Sequence, residues 1–252
     1  MSSDEGHLVL PSNTISDTYP NNTNASYTCQ LAGRLELEAS SHEVALIEVT
    51  YSNSWHNVSK GVVTVERLEV NGSTRAFSIP LGVGHYESIE ELLERLSAAV
   101  LSFSLDKALT VFYNRVRNSI RLTVHHARFS VSFSKDLAWI LGFTPEKKYA
   151  QGVYDNETLP DIDGGIANLY IYSDIVSNRD VGNALAPLLR VVPLEGRREA
   201  NVQKEFVHPH YVPASNIRKD AITVNITTDD GTLMPFAGGK VSLTVHYRRR
   251  RA

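Results

Sequence analysis

The sequence predicts an all-β protein, a β-sandwich or jelly roll with a helix-containing insertion, and three observations lead to this prediction. Short segments with alternating apolar residues recur along the chain, as in Val62–Val70. Turn signals such as Asn71-Gly72 and Asp229-Asp230-Gly231 separate these segments. One segment, residues 88–101, has clear helical spacing instead. Many short strands divided by turns are typical of a sandwich or jelly roll.

Residues 1–26 are predicted to form a flexible arm. Leu8, Val9 and Leu10 make a short apolar patch, and a stretch rich in serine, asparagine and threonine follows it over Ser12–Ser26. Such a composition buries little surface by itself. Two interpretations stay open, because the arm is either a frayed terminus or a hook that docks onto a neighbouring subunit.

Residues 27–247 are predicted to form the sandwich domain, and residues 248–252 a basic C-terminal tail. Val44–Val49 is almost continuously apolar, as expected of a strand that is buried on both faces. Period-two segments resume at Asn168 and continue to Tyr247. The domain is therefore expected to contain about ten short strands, in the size range of single-domain sandwiches.

The insertion within this domain is predicted to contain the helix and a hairpin. Ser88 and Glu91 have the spacing of a capping box at the start of the helix. Leu109–Val124 has the pattern of a hairpin, and Ser134–Gly142 that of a short helical turn closed by glycine. A loop is expected over residues 144–165, which contain two prolines and a Gly-Gly pair.

Composition excludes several classes of protein. The chain has 252 residues, of which 42% are hydrophobic, and its formal net charge of −3 does not suggest a nucleic-acid coat. Cys29 is the single cysteine, so no intramolecular disulfide can form, and we expect this residue to be buried in a strand. No apolar stretch approaches the roughly 18 residues of a membrane span. Residues 1–6 do not resemble a secretory signal, so we expect synthesis inside the cell without membrane insertion.

The sequence predicts no catalytic residue and no cofactor. The Gly-x-Ser-x-Gly elbow of hydrolases is missing, and Cys29 lacks the context of a cysteine protease. Leu81-Gly82-Val83-Gly84 precedes the helix but lacks the third glycine and the lysine of phosphate-binding loops. We therefore expect a protein that is not an enzyme.

No metal site is predicted either, although two patterns have part of the spacing of a metal site. His208 and His210 would point to the same side of a strand, but a third histidine and a carboxylate in register are missing. Asp161 and Asp163 resemble the start of a calcium loop, without the glutamate that should follow. The Asp229-Asp230-Gly231 segment is better explained as a turn.

Several segments resemble the penton protein, the minor capsid protein of Polinton/Maverick elements and their adintovirus relatives. The first is Glu43–Val58, a strand that continues into a turn around Trp55. The others lie within Leu169–Val192 and between His210 and Tyr247, and the helix, hairpin and Ser134–Phe143 are also similar. The resemblance covers most of residues 27–248 and rests on the order and spacing of these segments.

This resemblance implies a jelly roll with a structural role. Penton subunits fill the five-fold vertices of an icosahedral capsid as homopentamers, surrounded by a hexon-like major capsid protein with two jelly rolls. It implies a virion protein without catalytic residues or cofactors. At 252 residues, we expect the chain to be too short for the two jelly rolls of the major capsid protein.

Candidate contact residues follow from that role. Trp55, Val181, Leu185 and Pro187 are apolar residues in turn-like context and are expected to contribute to a ring interface. Leu8, Val9 and Leu10 would hook the arm under adjacent capsomers. The basic tail could contact packaged DNA through four consecutive arginines, Arg248, Arg249, Arg250 and Arg251.

Two other functions stay open at this point. A lectin-like or receptor-binding jelly roll has the same fold, and a vertex protein can itself bind a host receptor. An exposed aromatic residue beside convergent polar groups would favour that interpretation. An enzyme on a β-sandwich is the third interpretation, and it would need a metal at His208 and His210.

Overall fold

A computed structural model describes residues 4–13, 18–58, 61–105, 107–195 and 200–250. The chain divides into two compact units. Unit 1 contains Met1–Trp55 and Ile166–Ala252, and unit 2 contains His56–Gly165. Unit 2 is therefore inserted, in sequence, between two halves of unit 1.

The elements in chain order are β1 (Glu5–Pro11), β2 (Ser26–Leu37), β3 (His42–Ser52), β4 (Val62–Leu68), β5 (Thr74–Pro80), α1 (Ile89–Ser102), β6 (Leu109–Asn114), β7 (Ser119–Val124), β8 (Phe129–Phe133), α2 (Lys135–Leu141), β9 (Gly152–Asp155), β10 (Asn168–Ser173), β11 (Arg179–Val181), β12 (Ala184–Ala186), β13 (Leu188–Pro193), β14 (Asn201–Glu205), β15 (Val212–Pro213), β16 (Ile217–Thr227) and β17 (Ser242–Arg249).

Unit 1 is a jelly roll. One antiparallel sheet has the order β1-β17-β3-β14, with β15 also paired to β3, and the other has the order β13-β10-β16-β2. Among these strands the first therefore pairs with the last, β2 with β16, β3 with β14, and β10 with β13. This nested pairing, divided between two sheets, is the jelly-roll arrangement. The predicted all-β jelly roll with a helix-containing insertion is confirmed.

The strands of unit 1 fold this way because alternate side chains enter one core. Leu169 and Ile171 of β10 have no exposed surface, and neither do Ile222 and Val224 of β16. The residues between them are half-buried, as expected of sheets with one face in the core. Cys29 is 3% exposed and lies in β2, which confirms the expectation that it is a buried strand residue.

The N-terminal segment differs from its prediction. Residues 1–26 were expected to form an arm outside the domain, but Glu5–Pro11 is β1 and pairs along its whole length with β17. Further on, Ser12 donates its backbone N–H to the Val241 carbonyl at 2.8 Å. The composition of this segment buries little surface alone, but the edge of β17 supplies the missing hydrogen bonds.

Unit 2 contains two three-stranded antiparallel sheets and both helices. One sheet has the order β5-β4-β8 and the other β6-β7-β9. The turn between β4 and β5 contains Asn71-Gly72, where Gly72 has a φ of 82° and the Asn71 side chain accepts a hydrogen bond from the Ser73 N–H. The sequence-based signal therefore marks a real hairpin, with a turn longer than two residues.

The ends of the helices follow their capping signals. Ser88 precedes α1, and its Oγ accepts a hydrogen bond from the backbone N–H of Glu91 at 3.2 Å. Gly142 ends α2 in the left-handed region with a φ of 76°. A Cβ added at Gly142 would lie 2.1 Å from the Thr158 carbonyl oxygen, so glycine is required there by both conformation and space.

Candidate functional site

A small hairpin brings three predicted contact residues together. β11 and β12 pair with Val181 opposite Ala184, and Gly182 at the turn has a φ of 60°. Pro187 follows the hairpin, and its carbonyl accepts the backbone N–H of Ser173 at 3.0 Å. The base of the hairpin is therefore joined to β10.

The hairpin presents an apolar side chain to the outside. Leu185 is 69% exposed, while Val181 and Pro187 are half-buried. Arg179 lies opposite Ala186 at the other end of the pairing, and burial lowers the pKa of its guanidinium. The hairpin thus combines an exposed leucine with a partly desolvated positive charge, a composition that suits a protein interface.

Trp55 does not belong to this surface, which corrects the prediction that it contributes to the ring interface. It is 7% exposed and lies in the core of unit 1, where its ring packs edge-on against Phe236 with centroids 6.4 Å apart. A β-bridge joins the same two residues. An aromatic residue in a turn-like segment is buried here because Phe236, far along the chain, covers it.

The apolar patch of β1 is divided between two faces. Leu10 has no exposed surface, and Leu8 is half-buried against the same core. Val9 between them is 64% exposed. Alternation along a strand explains the division, and it corrects the prediction that all three residues form a hook, because Leu8 and Leu10 belong to the core of unit 1.

The arginine run is also more structured than the predicted tail. Arg248 lies in β17, its Nε is 2.8 Å from Glu43 Oε1, and its guanidinium carbon lies 3.6 Å from the centre of the Tyr211 ring. Arg249 pairs with Asp4 at 2.8 Å. Arg250 is exposed, and Arg251 lies outside the described residues. Arg248 is thus a neutralised strand residue, which corrects its assignment to a DNA-binding tail.

The exposed Trp139 was not among the predicted contact residues. It lies on α2 with 58% of its surface exposed, whereas Leu137, Ala138, Ile140 and Leu141 are buried. The spacing of these apolar residues places position 139 on the opposite face of the helix. That spacing was the signal in the sequence that could have marked Trp139 as a surface aromatic residue.

The histidine pair does not have the geometry that a strand would give it. His208 and His210 are exposed and lie in the connection between β14 and β15. Alternation along a strand therefore does not place their rings on one side. Across the described ranges, no group of three or more histidine, cysteine, aspartate or glutamate side chains is arranged to hold a metal ion.

The aspartates weighed as calcium ligands hold turns instead. Asp161 accepts hydrogen bonds from the backbone N–H groups of Asp163 and Gly165 at 3.0 and 2.8 Å. Asp229 accepts those of Ala167 and Asn168 at 2.8 and 2.9 Å. Burial raises the pKa of the Asp229 carboxyl, but the hydrogen bonds from Asn168 and Ala167 outweigh burial and leave that pKa lowered.

No helix among the described residues has the length and apolar character needed to cross a membrane.

Comparison with known proteins gives likeness in structure alone. No family model matches the chain, and no curated protein matches it. A selenomethionine-labelled mavirus penton protein is similar over 98% of this chain and 99% of its own, with 9% identity and a TM-score of 0.46. The D1-D2-D3 domains of the flagellar cap protein FliD from Escherichia coli match over 95% of this chain and 55% of their own, with 10% identity and a TM-score of 0.22. These scores are low, and the fold assignment rests on strand order and register.

Proposed function

We propose that this chain is a structural, non-enzymatic penton subunit that forms homopentamers at the five-fold vertices of an icosahedral capsid. One observation carries the proposal. The segments that resemble penton proteins lie on strands of a jelly roll with nested pairing. Glu43–Val58 covers all of β3 except His42, Leu169–Val192 runs from β10 into β13, and the segment between His210 and Tyr247 contains β16.

The β11–β12 hairpin is the proposed ring contact. A ring of five needs a heterologous contact, in which two different surfaces of the subunit meet and the rotation closes. Leu185 supplies an exposed apolar anchor on a hairpin fixed to β10 through Pro187. Burying one such leucine contributes about 1.5–3 kcal/mol, and the contact recurs at every interface of the ring.

The remaining partners of the proposal are the surrounding capsomers and the genome. Val9 is exposed on the edge strand β1, so it is the part of the predicted hook that can contact a hexon-like major capsid protein. Arg250 is exposed next to β17 and is the described arginine best placed to contact packaged DNA. Arg248 is not proposed as a DNA contact, because Glu43 already neutralises its charge.

The test is the mass of the purified protein by light scattering, near physiological salt and across a concentration series. The proposal predicts a discrete species of five subunits. Leu185→Asp should dissociate it, because a buried carboxylate without a partner opposes the contact. Leu159→Asp is the matched control, since Leu159 is also 69% exposed but lies in unit 2. A single-subunit mass at every concentration, both alone and with a co-expressed major capsid protein, would contradict the proposal.

A further inference from the structure

An open groove of about 410 Å³ lies between α1 and β6 in unit 2. Val111 and Tyr113 of β6 line one wall, and the α1 residues of the other wall include Leu93, Glu94 and Ser97. Both walls can be reached from outside, since Glu94 and Ser97 are exposed and the two β6 residues are half-buried. None of the functions considered so far uses this groove.

The β6 wall presents unused backbone groups. β6 is an edge strand, because its sheet has the order β6-β7-β9. Where its pairing with β7 begins, the Ala108 carbonyl accepts the backbone N–H of His125 at 3.0 Å. Hydrogen-bonded pairs alternate along an antiparallel ladder, so the residues two and four positions further on also bond to β7. The N–H and C=O groups of Val111 and Tyr113 therefore point away from β7, and they bond to no other backbone group among the described residues.

β6 also lacks the features that usually keep an edge strand from pairing with another chain. Leu109–Asn114 contains neither a charged residue nor a proline, and its register with β7 has no bulge. The other edge strands of unit 2 are different. β5 carries Arg75 and ends at Pro80, β9 has only four residues, and β8 is bridged by Tyr149. The edge of β6 is therefore the one in unit 2 best suited to accept an added strand.

The helix wall determines which charge the added strand should carry. Glu94 is exposed and forms no ion pair within the described part of the chain. Glu90, one turn earlier, also lines the groove but pairs with Arg115 at 2.5 Å. The groove thus offers an uncompensated negative charge across from the half-buried Val111. A lysine or arginine matches this combination, because its aliphatic stem covers apolar surface while its charged end reaches the carboxylate.

A second copy of this chain fits the groove less well than a basic strand does. Pairing β6 with the β6 of another copy would bring two acidic helix walls together. Like charges at close range oppose association. The charge of the groove therefore favours a different protein as the partner.

We infer that the α1–β6 groove binds an extended basic segment of another protein, which adds to β6 as a further strand. Its backbone bonds to the outward N–H and C=O groups of Val111 and Tyr113, and a lysine or arginine pairs with Glu94. Strand addition of this kind takes its affinity from main-chain hydrogen bonds and its specificity from the sites for alternate side chains. The proposed binding goes beyond the penton proposal and does not rest on it, because the whole groove lies within unit 2 of one subunit.

The test uses the full chain near physiological salt and the amidated peptide Lys-Val-Lys-Val-Lys, labelled with fluorescein at its N-terminus. Fluorescence anisotropy should show saturable binding. Hydrogen exchange measured by mass spectrometry should slow over residues 109–114, where the N–H groups of Val111 and Tyr113 become bonded. The matched peptide with glutamate in place of lysine should bind at least about tenfold more weakly, since charge-assisted hydrogen bonds are the stronger ones.

The backbone contribution is measured by changing the peptide, which leaves the folding of the protein untouched. Only alternate amides of an added strand face its neighbour. One analogue carries N-methyl groups on both valines, and the other carries them on the second and third lysines. One of the two should lose at least about tenfold in affinity while the other keeps it.

Variants of the protein test the two walls separately. Glu94→Lys should weaken binding of the lysine peptide several-fold. Glu146→Lys is the matched control, because Glu146 is an exposed glutamate of unit 2 that does not line the groove. Val111→Pro should also weaken binding, since it removes an N–H that β7 does not use, and thermal unfolding checks that this variant is folded.

Five results would overturn the inference. They are no saturable binding, binding without slower exchange over residues 109–114, equal affinity for the lysine and glutamate peptides or for the two N-methylated analogues, affinity unchanged by Glu94→Lys, and a smaller mass of folded Val111→Pro than of the wild type in light scattering. The last result would mark a contact with a second copy of the chain. Pentamer formation is read from the mass of the wild type, so the failure of one proposal leaves the other standing.

Discussion

Unit 1 and unit 2 are both built from antiparallel strands, but they close over very different distances along the chain. In unit 1, β1 pairs with β17, which places Leu10 opposite Leu243. In unit 2, β6 pairs with the next strand, which places Leu109 opposite Val124. Long closures cost more chain entropy than short ones and must be offset by burial. Unit 1 therefore depends on core contacts between distant segments, and unit 2 depends more on its turns and helix ends.

The largest expected effect tests the distant closure in unit 1. Leu10→Ala should lower the free energy of unfolding by about 2–5 kcal/mol, because Leu10 is fully buried in the core of unit 1. Val9→Ala is the matched control on the same strand and should change it by less than about 0.5 kcal/mol, since Val9 is 64% exposed. Urea denaturation measures both. Equal small effects would mean that the N-terminal segment is an arm after all.

The second prediction tests the local closure in unit 2. Gly142→Ala should cost about 2–4 kcal/mol, because the new Cβ meets the Thr158 carbonyl at a left-handed position. Gly72→Ala shares the positive φ but has nothing within 4 Å of the added Cβ, so it should cost about 1–2 kcal/mol. Thermal unfolding of the two variants compares them. Equal losses would show that the close approach at Gly142 contributes nothing.

The third prediction concerns acid sensitivity in unit 1. The folded-state pKa of Asp229 is lowered, so its contribution to stability is present above its unfolded pKa of about 3.9 and is lost as the pH falls through the folded pKa. Asp229→Asn should cost about 1 kcal/mol at neutral pH, after allowance for solvent screening. The difference from the wild type should shrink as the pH falls through the lowered folded-state pKa of Asp229. Urea denaturation at a series of pH values from neutral to acid measures the stability difference between the variant and the wild type. A difference that did not change with pH would contradict a stabilising role for the charge of Asp229.

The smallest effect separates the arginines at the end of β17. Arg248→Ala should cost about 1 kcal/mol, because it removes the ion pair with Glu43 and the contact with the Tyr211 ring. Arg250→Ala should change stability by less than about 0.5 kcal/mol but should reduce the salt dependence of DNA binding. Filter binding at several salt concentrations provides the second measurement. If Arg248→Ala lowered DNA affinity more than Arg250→Ala does, Arg248 and not Arg250 would be the DNA contact.

The difference between local contacts and contacts between distant segments explains which features could be predicted from the sequence. The α1 start at Ser88 and the glycine end of α2 were predictable, because a few adjacent residues determine them. The pairing of β1 was missed because its partner strand begins at Ser242. The burial of Trp55 is not predictable from its own segment, because Phe236, which covers it, lies far along the chain.

Whether a candidate site could be predicted also depends on how far apart its residues lie in the sequence. The Leu185 hairpin could be located in sequence, since its strands flank Gly182 directly. The contact between Arg248 and the Tyr211 ring could not, because the two residues lie in segments that are distant in sequence. Residues that share a site across a jelly roll leave no spacing pattern, so only the strand order brings them together.

The most direct test of the central claim is electron microscopy of particles assembled from this chain and a co-expressed double-jelly-roll major capsid protein. We expect density for this chain at the five-fold positions, as rings of five subunits with the Leu185 hairpin at the contact between neighbours. Leu185→Asp should leave those positions empty in otherwise complete particles. Wild-type particles that lack this chain at the vertices, or that carry it at other positions, would contradict the account.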